Sequence, residues 1–162
     1  VTHQRIADDM GIGDPITTID NHHTFAWIED VVMENGDVRQ AYVHRKGATP
    51  AGVGVLGIIP GSMATKGYVV QGKGNESSIS SSSHGAGRAM SRRAAHESLD
   101  PKEWKRQLAE AQVELIGGSL DEATNAYKDI EKVMASQKKL VDVMAEFQPR
   151  LVRMADDGFA ED

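Results

Sequence analysis

Apolar and polar positions change rhythm several times along this chain, and each change marks an element. Val1 to Met10 fits a short helix ended by Gly11 and Gly13, with Pro15 beyond. Phe25 to Met33 is rich in β-formers, and Asn35-Gly36 behind it is a two-residue hairpin signal. Val38 to His44 is then the return strand. A glycine-rich stretch from Lys46 to Gly74 holds short apolar pieces at Val53 to Ile59 and Tyr68 to Val70. Tight turns and close backbone approach are expected there. Asn75 to Ser83, "NESSISSSS", reads on composition as a flexible linker.

Helical periodicity takes over later. Gly85 and Gly87 lead into "RAMSRRAAHESL", which fits a helix. Asp100, Pro101 and Glu103 supply an N-cap acceptor, a proline at the first helical position and a glutamate at the third. That helix should run to about Glu110. Val113 to Ile116 is a strand candidate closed by Gly117-Gly118. A long helix is expected from about Asp121 to Phe147, where Ile130, Val133, Met134, Val141, Met144 and Phe147 recur at helical spacing. Pro149 stops it. A β-rich first half and a helical second half make the chain α+β.

Composition narrows the function classes. The 162 residues suffice for one domain with a core, and with 5% aromatics that core must be aliphatic. No apolar run approaches the roughly 20 residues of a membrane span, and no secretory signal pattern opens the chain. Cysteine is absent, which excludes disulfides and thiolate metal sites within it and fits a cytoplasmic protein. The net charge of -6 argues against indiscriminate coating of nucleic acid. Basic residues nevertheless gather at His44-Arg45-Lys46 and at Arg88, Arg92 and Arg93, a distribution suited to a defined phosphate ligand. The chain opens at Val1 directly into patterned sequence and reads as a piece of something longer.

The strongest chemical signal is "SSSHGAGRAMSRRAA", Ser81 to Ala95. A histidine stands before a Gly-Ala-Gly turn expected to open a helix, whose free N–H groups would attract a phosphate. On a helix Arg88 and Arg92 would share one face. A neutral imidazole is a competent nucleophile toward phosphorus. The residues alone allow either a phosphate-binding turn with a nucleophile at His84 or a structural histidine beside a cap. The Walker order Gly-x4-Gly-Lys-Ser/Thr is absent. In "IDNHHTFAWIED", His22 and His23, with Asp20 and Glu29 close by, are candidate metal ligands or acid–base groups. Neighbouring residues on a strand face opposite ways, so at most one would enter a given metal site. "YVHRKGATPAG" and "IIPGSMATKGY" offer a basic trio and a Pro-Gly-Ser turn, or ordinary surface turns.

Taken in order, "HHTFAWIE", "VHRKGAT", "IPGSM", "SSSHGAGRAMSR" and "AYKDIEKVMASQKKLV" resemble the RtcB family of GTP- and manganese-dependent RNA-splicing ligases. The resemblance covers nearly the whole chain. It implies mixed sheets with glycine-rich loops over a nucleotide pocket, a bracing C-terminal helix, and a chain that forms the C-terminal portion of a single catalytic domain. It implies a ligase joining RNA 3′-phosphate (or 2′,3′-cyclic phosphate) and 5′-hydroxyl ends, with GTP and Mn2+ as cofactors. His84 would carry the guanylate. Ser62, Gly85, Ala86, Gly87, Arg88 and Tyr127 would hold the nucleotide, Tyr127 by stacking on guanine. Arg45, Lys46 and Arg92 would meet RNA or phosphate, and His23 would bind metal.

The chain departs from the family pattern in three places. The family's other metal ligands, a cysteine among them, lie upstream of these residues, so an upstream half, in the same or a separate chain, is the implied partner. The family's closing valine-lysine-glycine is replaced by "PRLVRMADDGFAED", with Arg153 or Met154 near the guanine-contacting lysine; Arg153 would join the nucleotide-binding residues by donating to the guanine edge. Gly67 stands near a position where many relatives have serine. Surfaces meant for the upstream half would be exposed apolar patches. Against the ligase stands a non-catalytic remnant of the same fold that binds nucleotide or RNA without turnover. A third reading is a related RNA repair task using the same chemistry.

Overall fold

The computed structural model of the chain describes residues 2–21 and 24–154. The first helix, α1 (Thr2–Met10), ends where Gly11 takes a positive φ of 65°. Strands β1 (Thr24–Val32) and β2 (Val38–Lys46) form an antiparallel hairpin with Trp27 opposite Val43 and Ile28 opposite Tyr42. Asn35-Gly36 lies in its turn, but the connection runs from Met33 to Asp37 and is wider than a two-residue loop. Asn35 accepts from the Asp37 N–H through its side chain, and Gly36 adopts φ +85°, a region that favours glycine.

The rest is built around two apolar clusters. Strands β3 (Ala48–Pro50) and β6 (Ser81–Ser83) pair antiparallel. Strands β4 (Leu56–Ile59), β5 (Gly67–Gly72) and β8 (Val141–Phe147) form an antiparallel sheet with β5 in the middle. Its inner face packs Ile59, Tyr68, Val70 and Val141 against Ile130 and Met134 of helix α4 (Ile130–Ser136). Gly72 has to be glycine, because an added Cβ would collide with the Ala51 carbonyl. The second cluster gathers Met63, Trp104, Leu108, Val113 and Ala123. Its helix α3 (Pro101–Glu110) begins as its sequence dictates: the Asp100 side chain accepts from the Lys102 N–H at 2.9 Å, and Pro101 follows. Trp104 and Leu108, four apart, then face inward, and each such burial is worth about 1.5–3 kcal/mol. Strands β7 (Glu114–Gly117) and β9 (Leu151–Arg153) close this side as a parallel pair. The α+β class expected from the sequence holds.

Several expectations are corrected. The long helix from Asp121 to Phe147 does not form. Two 3-10 turns (Leu120–Glu122, Thr124–Ala126) come first, α4 has only seven residues, and β8 follows as a strand. Among the described residues the second half is therefore not chiefly helical, and no long helix braces the site. The helix after the His84 turn, α2 (Arg92–Ser98), starts at the Ser91 cap, whose side chain accepts from Ala94 N–H at 3.1 Å. Gly85–Gly87 is thus not a helix N-terminus, and Arg88 precedes the helix that begins at Arg92. The serine-rich stretch is not a loose linker. Asn75 caps a 3-10 turn, Ile79 and Ser80 take positive φ (52° and 46°), and the serines continue into β6.

Candidate functional site

His84 follows β6 directly. Its backbone N–H donates to the Gly47 carbonyl at 3.4 Å, and a Cβ on Gly47 would stand 3.8 Å from the imidazole Cδ2. The turn from β2 into β3 is thus the floor on which the ring lies. On the other side the Ala86 N–H donates to the Pro60 carbonyl at 2.9 Å, and a Cβ on Gly85 would stand 3.2 Å from that oxygen. The Pro60–Gly61–Ser62 turn is therefore laid against Gly85–Ala86 by main-chain contact. Ala86 is buried in the first cluster, while Gly87, φ +72°, is exposed.

Ser62 is held by Thr65, whose hydroxyl accepts the Ser62 N–H at 2.6 Å and lies 3.0 Å from the Ser62 hydroxyl. Ser62, Thr65, Asn125, Tyr127 and Asp129 line one open cleft of about 410 Å³. Tyr127 stands just before α4, half-buried against the first cluster. Arg88 forms a β-bridge with Tyr127 and places its guanidinium 5.3 Å from the ring centre, within cation–π range.

Asp121 and Glu122 organise these cations. The Asp121 carbonyl accepts from Arg88 Nη2 at 2.6 Å, and its carboxylate takes Arg92 Nη1 at 2.5 Å and faces His96 at 3.6 Å. Glu122 accepts from Arg92 at 3.0 Å and from the Tyr127 hydroxyl. Burial first, and then this carboxylate, push the Tyr127 phenol up to about 12, so the phenol is neutral near neutral pH. Arg88 Nη1 is buried yet makes no hydrogen bond, standing 3.5 Å from Glu122 and 3.9 Å from Asp121. Ion-paired but not hydrogen-bonded, this buried donor could still be satisfied by a phosphate oxygen.

The remaining sequence candidates lie elsewhere. Arg45 is 4% exposed and gives Nη1 and Nη2 to Glu29 at 2.5 and 2.7 Å, Nε to Ser81 and Nη2 also to the Ile79 carbonyl. That hydrogen bond from Arg45 holds the Glu29 carboxyl below its ordinary range. Arg45 thus ties the hairpin to the serine segment. Lys46, beside it, is exposed. His23 lies outside the described residues. Among the described residues no three His, Cys, Asp or Glu stand together as a metal site. Asp121, Glu122, Thr65 and Gln137 escaped the sequence reading. The acid pair just before "AYKDI" was the available signal, hidden by its resemblance to a helix start.

Comparison with known proteins now decides the family. The model described as "tRNA-splicing ligase RtcB" matches residues 4–155. The chain belongs to the RtcB family. It is 43% identical over 126 residues to the RNA-splicing ligase RtcB of Escherichia coli K12, covering 78% of this chain and 30% of that protein. The tRNA-splicing ligase RtcB of Pyrobaculum aerophilum is 36% identical over 135 residues (69% of this chain, 27% of that one). That of Methanopyrus kandleri is 35% identical over 150 residues (79% and 15%). The chain thus spans three-tenths or less of the length of these RtcB relatives. At the end of the described residues, Met154 packs into the second cluster, whereas Arg153 on β9 is exposed. At Gly67 a side chain would strike the Phe147 ring, so a serine there requires that ring to move.

Proposed function

We propose that this chain is the guanylate-accepting portion of an RNA ligase that joins 3′-phosphate and 5′-hydroxyl ends. A neutral His84 nitrogen attacks the α-phosphorus of GTP, forming a P–N bond as the bond to pyrophosphate breaks. An oxygen of the RNA 3′-phosphate then takes the guanylate and frees His84. The 5′-hydroxyl of the second RNA attacks that activated phosphate, GMP leaves with the bonding electron pair, and the hydroxyl proton passes to solvent or a base. A 2′,3′-cyclic end is first opened by water. Arg88 and Arg92 would neutralise phosphate charge, and Ser62 and Tyr127 would seat the nucleoside in their common cleft.

The observation that carries this reading is the approach of distant motifs: the Pro60 carbonyl accepts from Ala86, and Arg88 lies over Tyr127. Manganese, when bound, would supply Lewis-acid stabilisation of the phosphoryl oxygens. Of its ligands this chain would give His23, and the rest would come from an upstream portion of the fold, on the same or a separate chain. The remnant reading, binding without turnover, is separated by one assay. The chain is incubated with GTP radiolabelled at the α-phosphate and with manganese, alone and with the upstream portion of a relative. An acid-labile, base-stable protein label abolished by His84→Ala is expected. Tight nucleotide binding with no label in the reconstituted pair would favour the remnant.

A further inference from the structure

Gln137 is 5% exposed, and its amide is directed at the residue before His84. Its Oε1 accepts the Ser83 N–H at 2.6 Å, and its Nε2 donates to the Ser83 hydroxyl at 3.0 Å. That hydroxyl donates onward to the Gly85 carbonyl at 3.1 Å. One buried side chain therefore grips the main chain before His84 directly and after it through a single relay. Burying an amide is unfavourable unless its polar atoms are bonded. A methionine of similar length would fill the same space against Met134 and leave the Ser83 N–H without its acceptor. Packing alone thus does not account for glutamine here.

The place of Gln137 in the chain adds to the case. It caps the C-terminus of α4, whose seven residues span about 10 Å. Tyr127 stands just before the other end, so the helix is a strut between the nucleoside cleft and the His84 turn. On the Gly47 side the His84 N–H reaches the Gly47 carbonyl at 3.4 Å, whereas the Ser83 N–H reaches Gln137 at 2.6 Å, the shorter of these two main-chain restraints.

We propose that Gln137 is a positioning residue that fixes the backbone on both sides of His84 and so sets the direction in which the imidazole is presented. The positioning itself is a property of this chain; its catalytic consequence rests on the guanylation reading above.

The test compares the wild-type 162-residue chain with Gln137→Met and, as a milder variant, Ser83→Ala, which removes only the relay. Long-range 1H–15N spectra report the His84 ring nitrogens, and methyl spectra report Ile59 and Val70. In Gln137→Met the His84 ring and Ser83 amide signals should move while the Val70 methyls stay, with smaller His84 shifts in Ser83→Ala. Single-turnover labelling by α-labelled GTP, with manganese and the upstream portion of a relative, forms the second arm. Its maximal rate should fall roughly 10- to 100-fold, since displacement of a reacting group by about 1 Å costs that much. The GTP concentration for half-maximal rate should change by less than about 2-fold. His84 signals unchanged in folded variants overturn the positioning role, whatever the labelling shows. Shifted His84 signals with no label even in the reconstituted wild type keep the positioning role and remove the guanylation reading.

Discussion

The hairpin of β1 and β2 and the block from Ala48 to Met154 are made from similar apolar residues, yet they use them differently. In the hairpin, Phe25, Trp27, Ile28, Val32, Val38 and Tyr42 are all exposed. In the block, Ile59, Tyr68, Val70 and Val141 are buried in a cluster that also carries Ala86 of the His84 turn. The hairpin is joined to the block through a buried cation, Arg45, and the block is held by apolar packing. Stability around the candidate site should therefore depend on side-chain volume, and the attachment of the hairpin on charge.

The same side-chain truncation should have very different costs in the two regions. Ile59 is fully buried and Ile28 is 59% exposed. Ile59→Ala should cost about 3–4 kcal/mol through lost transfer energy and a cavity, and Ile28→Ala under about 1 kcal/mol. Urea unfolding of each variant measures both. Equal losses would mean that the hairpin face is covered in solution.

Arg45→Met comes next. Removing one partner of a buried pair typically costs about 3–5 kcal/mol, and the partial exposure of Glu29 reduces this to about 2 kcal/mol. Hydrogen exchange should accelerate in β2 and at Ile79 to Ser81 and stay unchanged in β5. The pH dependence has a definite sign. Because Arg45 holds the Glu29 carboxyl below its ordinary value, the pair stabilises the fold above that value and loses this contribution as pH falls through the depressed one. In Arg45→Met that acid-side loss should disappear from pH-resolved melts.

What the sequence revealed follows the same division between local and distant causes. Helix α3 was legible because Asp100, Pro101 and Glu103 are neighbours and their capping needs no distant partner. Helix α4 was overextended because its ending is tertiary. Past Gln137 the chain turns where Lys73 donates to the Leu140 and Lys138 carbonyls and Asn75 to that of Lys139. Beyond it β5 takes Val141 to Phe147 as a strand, in which Val141 reaches the core and Met144 is exposed. A period of three to four cannot reveal a partner seventy residues away. In the site, the motif strings pointed to His84, Ser62 and Tyr127. The same reasoning gave Arg88 and Arg92 a shared helix face, whereas what joins them is Asp121 and Glu122, thirty residues on. Arg45 was read as a phosphate contact because basic residues cluster there, and Glu29, which takes up its charge, lies across the strand pair.

Charge is buried inside the block as well, at Asp121. Asp121→Asn keeps the shape and removes the charge facing Arg88 and Arg92. It should cost about 1.5–2 kcal/mol, the lower part of the range for hydrogen bonds to charged groups. Thermal melts measure this loss, and nucleotide titrations should show tighter binding if the freed cations accept phosphate more readily.

The smallest effect belongs to Tyr127→Phe. The substitution removes the hydroxyl that donates to Glu122 and leaves the ring against the first cluster and beneath Arg88. Partial exposure limits the cost to about 1 kcal/mol. Its signature is alkaline. The phenol is pushed up to about 12 in the folded chain, so its contribution is complete below the ordinary tyrosine value near 10 and is lost as pH rises toward 12. Melts between pH 9 and 12, on the order of the window those values define, should fall more steeply for the wild type than for Tyr127→Phe. Parallel slopes would mean that the hydroxyl is neither buried nor bonded to Glu122 in solution, and the acid pair would then organise the arginines alone.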